Sequence, residues 1–230
     1  MSNSAATSGT RARTAARTVS DLLRVVSESR ANYHAAYAMD LACALTMGWL
    51  GFRAADGWAV PGASAATGLV AFSLAEYAIH RWLFHGRTGV MRALHQAHHD
   101  GPHDHVALPF ISSPVVVGLA WWVGSAAIGP VVPSFFWCGF LTGYVAYGAV
   151  HHLEHSIRIT ALPFRWMQRR WAIHAVHHRL VDTNFGVTTS FWDRVFGTHY
   201  QARRRGLGWR LTEPSPNPHG TVKTRRRPPD

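Results

Sequence analysis

Ten histidines recur in short-range pairs and triples. EYAIHRWLFH carries His80 and His85, HQAHH carries His95, His98 and His99, HHLEH carries His151 and His155, and HAVHH carries His174, His177 and His178. Imidazole suits iron, copper, zinc and nickel alike, so metal binding is the chemistry these residues can perform together. Positions i, i+3 and i+4 share one helix face, so each H-x-x-H-H box presents three imidazoles to one point. His151 and His155 do the same as an i, i+4 pair. His80 and His85 are five apart and diverge by about 140° on a regular helix. They converge only where the helix end loosens, or each serves a different ion. Tetrahedral zinc takes four ligands, so ten imidazoles imply two metals with about five each. No catalytic side chain beyond these ligands is singled out.

HHLEH also permits a second chemistry. Read as H-x-x-E-H, it is the inverted zinc-protease signature, with His151 and His155 on the metal and Glu154 activating water. That reading leaves the other eight clustered histidines unexplained. A histidine-rich metal-binding or transport protein is a third reading, but transport sites lie near the bilayer midplane, whereas these ligands gather at one edge. The remaining histidines have other expected places. His34, His199 and His219 read as surface residues, and His103 and His105 as lining the site or carrying protons. His152 points about 100° away from His151 on a helix and belongs to a different face.

The elements that must position these boxes are helices. Charged residues make up 15% of the chain, against roughly a quarter in soluble domains, which points to a membrane. Apolar stretches run at about 34–52, 63–84, 107–129 and 131–150, each near the roughly 20 residues that cross a bilayer. Asp40 and Glu76 lie inside the first two, and Pro109 and Pro114 interrupt the third. Arginines lie before the first span, between the second and third, and after the fourth. The two short turns on the other side carry almost no charge. The positive-inside rule therefore puts both termini and the histidine boxes in the cytoplasm. The expected fold is all-α: four transmembrane helices in two hairpins, with a cytoplasmic helical cap over 156–200 holding a dimetal site. The domain plan is a basic disordered tail over 1–30 with a short helix near 19–30, a membrane domain over 31–200, and a basic disordered tail over 201–230. The formal charge of +11 fits an anionic membrane surface rather than nucleic acid, because arginine avoids the apolar runs. Cys43 and Cys138 sit inside apolar segments and suggest neither a disulfide nor a zinc ribbon.

With these boxes in order, the chain resembles the fatty acid hydroxylase superfamily, the integral-membrane di-iron enzymes that include sterol desaturases, fatty acid 2-hydroxylases and carotenoid hydroxylases. The resemblance runs from about Glu76 to Thr198. Its most specific part is HAVHHRLVDTNFGVTTSFWDRVFGT, which matches the family's closing H-x-x-H-H, N-[YF]-G-V-T-[TS] and W-D-x-x-F-G-T. The resemblance implies ten metal ligands at His80, His85, His95, His98, His99, His151, His155, His174, His177 and His178. It implies two iron ions, with zinc as an alternative occupant on purification, and O2 as co-substrate. The implied activity is hydroxylation or desaturation of a C–H bond in a lipid such as a fatty acyl chain, sterol or carotenoid. The implied partners are that bilayer lipid and an external electron donor, a ferredoxin or a cytochrome b5-like protein with its reductase. The implied location is a bacterial plasma membrane or an ER-type membrane, as a multi-pass protein. Two features depart from the family pattern: Tyr147-Gly148 stands where relatives often carry Tyr-Asp, and DHVALPF follows the second box. Asn184, Asp182 and Glu76 are candidates to hold ligand histidines by hydrogen bonds, with capping as the alternative for the first two. Trp192 and Asp193 are expected to pack and cap the closing turn.

Overall fold

The computed structural model describes residues 21–158, 161 and 163–200, and the backbone of 204–205 and 208–209. Of the two basic tails, residues 1–20 and most of 201–230, His219 among them, lie outside the described residues. Residues 21–27 are helical, where the short helix was expected. Arg204–Arg205 pairs antiparallel with Gly208–Trp209.

The helices are α1 (Arg30–Ala54), α2 (Ala59–Ala78, continued by a π turn over Ile79–Phe84), α3 (Val90–Asp100), α4 (Ser112–Ile128), α5 (Val131–Ser156), α6 (Arg165–Arg179) and α7 (Phe191–Val195). Ser29 caps α1, its hydroxyl accepting from the Asn32 amide at 3.1 Å, which satisfies one of the free donors of the first turn. The apolar stretch expected to start at 107 becomes helical only at Ser112. Pro109 precedes the helix, and Pro114 falls in its first turn, where no intrahelical donor is lost. The segment 101–111 is instead a loop tied to α1. Asn32 Nδ2 donates to the Leu108 carbonyl at 3.0 Å, and Asn32 Oδ1 accepts from Phe110 N at 2.9 Å.

α5 is the central helix, packed against α2 and α1, with α4 against α5 and α1. α2 and α5 run parallel and very close. A Cβ on Gly68 would collide with the Phe136 carbonyl, and one on Gly139 with that of Ala65. Backbone-to-backbone approach of this kind is how helices associate without a hydrophobic drive. α1 runs antiparallel to α5, with Gly51 against Phe135 at one end and Gly148 under the Tyr37 ring at the other. This register brings His80 on α2 and His151 on α5 to one end of the bundle.

The outer faces are apolar. Leu45, Val70, Val116 and Trp122 are each at least 60% exposed. Two helices, Arg30–Ala54 and Ala59–Phe84, are long and apolar enough to cross a membrane, and Ser112–Ile128 is apolar but shorter. Cys43 and Cys138 are free thiols.

Candidate metal centre

The ten box histidines form two groups of five. His80, His85, His95, His99 and His177 make one; His98, His151, His155, His174 and His178 make the other. Within each group the potential ligand atoms all lie within 4.8 Å of one another. The division differs from the expectation that each H-x-x-H-H box aims at one point. In both boxes the i, i+4 pair stays together and the i+3 histidine crosses over: His98 leaves His95 and His99, and His177 leaves His174 and His178. α3 and α6 therefore each serve both groups. The groups abut, with the His99 and His178 ring centroids 4.3 Å apart.

His80 and His85 fall in one group because the helix end loosens. Ile79–Phe84 is a π turn, and His85 N donates to His80 O at 3.1 Å. A hydrogen bond spanning five residues stacks His85 over His80 where an α-helix would turn it away. Such single π turns gather at functional sites.

The closing loop fixes which nitrogen of two rings faces inward. His80 Nδ1 lies 2.5 Å from the Phe185 carbonyl, and His177 Nδ1 lies 2.7 Å from the Thr183 carbonyl. A carbonyl only accepts, so Nδ1 carries the proton in both rings and Nε2 presents its lone pair. Between those carbonyls sits Asn184, fully buried and left-handed at φ 56°. Its Oδ1 accepts from Tyr200 N at 2.8 Å, and its Nδ2 donates to Tyr200 O at 2.9 Å. Asn184 therefore holds backbone rather than imidazole, and the left-handed bend lets residues 183 and 185 each aim a carbonyl at a ring. Asp182 is exposed and holds neither ring.

The amides of this loop are taken by acids. Asp193, fully buried, accepts from Phe185 N at 2.8 Å and Gly186 N at 2.9 Å, and its other contact is the Thr198 hydroxyl at 2.8 Å. This is the capping expected of it. Trp192 Nε1 donates to Ser73 Oγ at 3.0 Å, pinning α7 to α2. Glu76 accepts from Val187 N at 2.5 Å, from Thr188 N at 2.9 Å and from the Thr188 hydroxyl. Glu76 thus anchors the loop and touches no ligand histidine, contrary to its expected role. Arg170, which no sequence motif marks, completes the clamp by donating to the Val187 and Gly186 carbonyls and to Ser190 Oγ.

Two observations show that the rings fit metal ions. Within the groups, neighbouring Nε2 atoms stand 2.9–3.2 Å apart. Donors about 2.0–2.1 Å from one ion are separated by about 2.9 Å at right angles and about 3.4 Å at tetrahedral angles. His95 Nε2 alone lies 3.0–3.1 Å from the Nε2 atoms of His80, His85 and His99; one ring N–H can bridge only one of these pairs, whereas a shared cation accommodates all of them. In addition, His98 Nε2 is buried without a hydrogen-bond partner among the described residues, an arrangement that costs about 1–3 kcal/mol unless something accepts its lone pair.

Burial keeps these rings neutral, the form that ligates. Loss of water around His98 pulls it down to about 2, with His155 and His178 adding repulsion. Burial likewise brings His177 and His178 to about 3. The unfolded chain takes up those protons near the ordinary value of about 6.5, so stability is constant above that pH and falls as pH drops toward the folded values. The metal-free protein is therefore expected to lose thermal stability steadily from about pH 6.5 downward, read as the unfolding midpoint in detergent; a midpoint flat to about pH 4 would contradict neutral buried rings.

His151 and His155 lie in the second group, whereas Glu154 points behind it. Its Oε2 is 3.8 Å from His174 Nδ1, too long for a hydrogen bond, and it borders a small gap beside Arg170. His152 turns away from both groups as expected, with Nδ1 3.0 Å from the Tyr33 hydroxyl, and lines the neighbouring cavity. His103 and His105 join neither group and line the neighbouring cavity. His34 is exposed and His199 partly so.

That cavity, of about 670 Å³, runs from the histidines down between α1, α2, α4 and α5. His80, His95, His98, His151 and His155 face it at one end. Its upper wall is polar, with Tyr33, His103, Asp104 and Ser156. Its depth is apolar, with Phe72, Val117, Phe140 and Leu141.

Comparison with known proteins agrees with this arrangement. The family described as Fatty acid hydroxylase matches residues 65–198. The dihydroceramide fatty acyl 2-hydroxylase FAH2 of Arabidopsis thaliana is 31% identical over 65% of this chain and 66% of its own length. The ceramide very long chain fatty acid hydroxylase SCS7 of Saccharomyces cerevisiae is 30% identical over 57% of this chain and 36% of its own. The fatty acid 2-hydroxylase of Homo sapiens is 28% identical over 57% and 38% respectively. This chain thus spans less than two thirds of the length of these relatives. The solved structure of full-length scs7p, in which only the hydroxylase domain is visible, superposes with a TM-score of 0.64 at 23% identity, covering 76% of this chain and 69% of that one; the fold is shared. With a match over more than half its length that takes in every box histidine, the chain belongs to the fatty acid hydroxylase family.

Proposed function

We propose that this protein is a multi-pass membrane lipid hydroxylase that adds a hydroxyl to carbon 2 of an acyl chain, using two iron ions and O2. The observation that carries this reading is the pair of five-histidine groups at the polar end of an apolar cavity. The ligands are all ten box histidines, five to each ion. When bound, iron would supply the activation of O2 that cleavage of an unactivated C–H bond requires and that side chains lack. One oxygen atom ends in the product hydroxyl and the other in water, with two electrons from an external donor and two protons from solvent completing the balance.

The protein's own part is placement. The polar upper wall suits a lipid headgroup, the apolar depth suits its chain, and a carbon close to the headgroup then lies beneath the histidines. Acyl 2-hydroxylation is also what the names of the relatives describe. α1, α2, α4 and α5 serve as four spans, with the histidine end and both basic tails on the cytoplasmic side. Exposed Arg87, Arg92, Arg165 and Arg169 near the histidine helices suit an acidic electron carrier such as a ferredoxin or cytochrome b5-like protein.

Mass spectrometry of lipid extracts with and without expression, under 18O2, tests the reaction. A gain of one labelled oxygen at carbon 2 is expected; loss of two hydrogens would make the protein a desaturase. Glu154→Gln separates this reading from a protease that uses H-x-x-E-H. The variant is expected to keep both metals and most of its lipid activity, because Glu154 does not face the cavity. Complete loss of activity with metals retained would return Glu154 to a catalytic role.

A further inference from the structure

The cavity is a shaft with a floor. On α5 its lining residues recur on one face from His151 through Gly148, Tyr144 and Leu141 to Trp137. Fourteen residues separate His151 from Trp137, a depth of about 21 Å at roughly 1.5 Å per residue. Among the described residues, nothing on α5 before Trp137 lines the cavity. Val117 and Leu141 close the end together with Trp137, as part of an apolar cluster with Ala44 and Met47. Trp121 packs behind them, its Nε1 donating to Ser134 Oγ at 2.7 Å. The floor is therefore braced on two sides. Midway down, Asp40 lines the wall with the Ser113 hydroxyl as its hydrogen-bonding neighbour.

The geometry points to a chain-length ruler: the acyl chain lies along α5 with its methyl end stopped by Trp137, which selects palmitoyl and stearoyl chains and rejects very long ones. Carbon–carbon bonds of about 1.5 Å at tetrahedral angles advance the chain by about 1.25 Å each, so the shaft holds about 17 bonds. Counted from carbon 2, a stearoyl chain supplies about 16 bonds and nearly fills that length, a palmitoyl chain about 14 and fits within it, and a lignoceroyl chain about 22 and exceeds it. A lignoceroyl chain would have to buckle or leave its carbon 2 outside. The inference rests on the acyl 2-hydroxylase reading and adds a length limit to it.

The test is lipid mass spectrometry of a host that lacks its own acyl 2-hydroxylase, expressing the full chain and fed fatty acids from lauroyl to hexacosanoyl. Wild type is expected to hydroxylate palmitoyl and stearoyl chains best. Trp137→Ala is expected to move the optimum up by about four carbons, since removing an indole about 5 Å deep frees that many bonds. Val117→Phe, which fills the floor instead of emptying it, is expected to move the optimum down, and it keeps the test open if Trp137→Ala does not fold. A wild-type optimum at lignoceroyl, or profiles unchanged in both variants, would overturn the ruler while leaving the hydroxylase reading standing. A wild type that hydroxylates no acyl chain would overturn that reading and the ruler with it.

Discussion

His98→Ala is expected to remove one of two bound metals and to lower lipid hydroxylation by more than about a hundredfold, beyond the 10- to 100-fold typical of residues that only support ligands. His98 is the α3 contribution to the second group. Its ring lies 4.6 Å from His151, 4.7 Å from His155 and 5.0 Å from His178, and its Nε2 has no partner within the described protein. Without it, four donors face the second site and five still face the first. The metal count should therefore fall from two to one per chain rather than to zero. His177→Ala is the mirror experiment, taking the one α6 ligand from the first group. His152→Ala is the control: it lies next to His151 on α5, is equally a histidine, and bonds to Tyr33 rather than to either group. It should retain both metals. Equal metal loss from all three variants would mean general unfolding instead of ligand loss.

The second large effect is expected at a residue that touches no metal ligand with its side chain. Asn184→Ala should weaken metal binding at the His80–His177 group by about 10- to 100-fold, the range seen when the groups that orient ligands are removed. Alanine tolerates the left-handed backbone poorly, and it loses both bonds to Tyr200. The carbonyls of Thr183 and Phe185 then no longer point together at His177 and His80. Asn184→Gly keeps the backbone conformation accessible and loses only the side-chain bonds, so its loss should be smaller. Chelator competition monitored group by group, with His98→Ala as background to silence the second group, reads the effect directly. Equal losses for alanine and glycine would assign the role to the side-chain bonds alone.

Much of this site was legible in residue types and spacing. The boxes identified all ten histidines that the fold brings together, and their number implied two groups of about five. Burial pattern and register then follow from apolar stretches whose cores match α1, α2, α4 and α5. The assignment of ligands within each box was not legible. An i, i+3, i+4 triple reads as one face on an isolated helix, yet α3 and α6 pass between two groups, and the i+3 side chain leans far enough to reach the other. Convergence of His80 and His85 required a π turn at the end of α2, which their five-residue spacing permits but does not specify. The loop itself was the largest gap. Its contributions to the site are carbonyls of Thr183 and Phe185 and amides from Phe185 to Thr188, and backbone atoms leave no signature in residue type. The acids were visible, but their spacing from histidine suggested that Glu76 serves a ring, whereas it serves two amides across the fold. The start of α4 was also misplaced, because Pro109 lies outside the helix and Pro114 within its tolerant first turn.

Metal content per chain bears most directly on the central claim. Full-length protein purified without oxygen and quantified by elemental analysis should hold two metal ions per chain, predominantly iron, with wild-type and His152→Ala alike. One ion per chain at full occupancy, or none in protein that still oxidises lipid, would contradict two five-histidine sites.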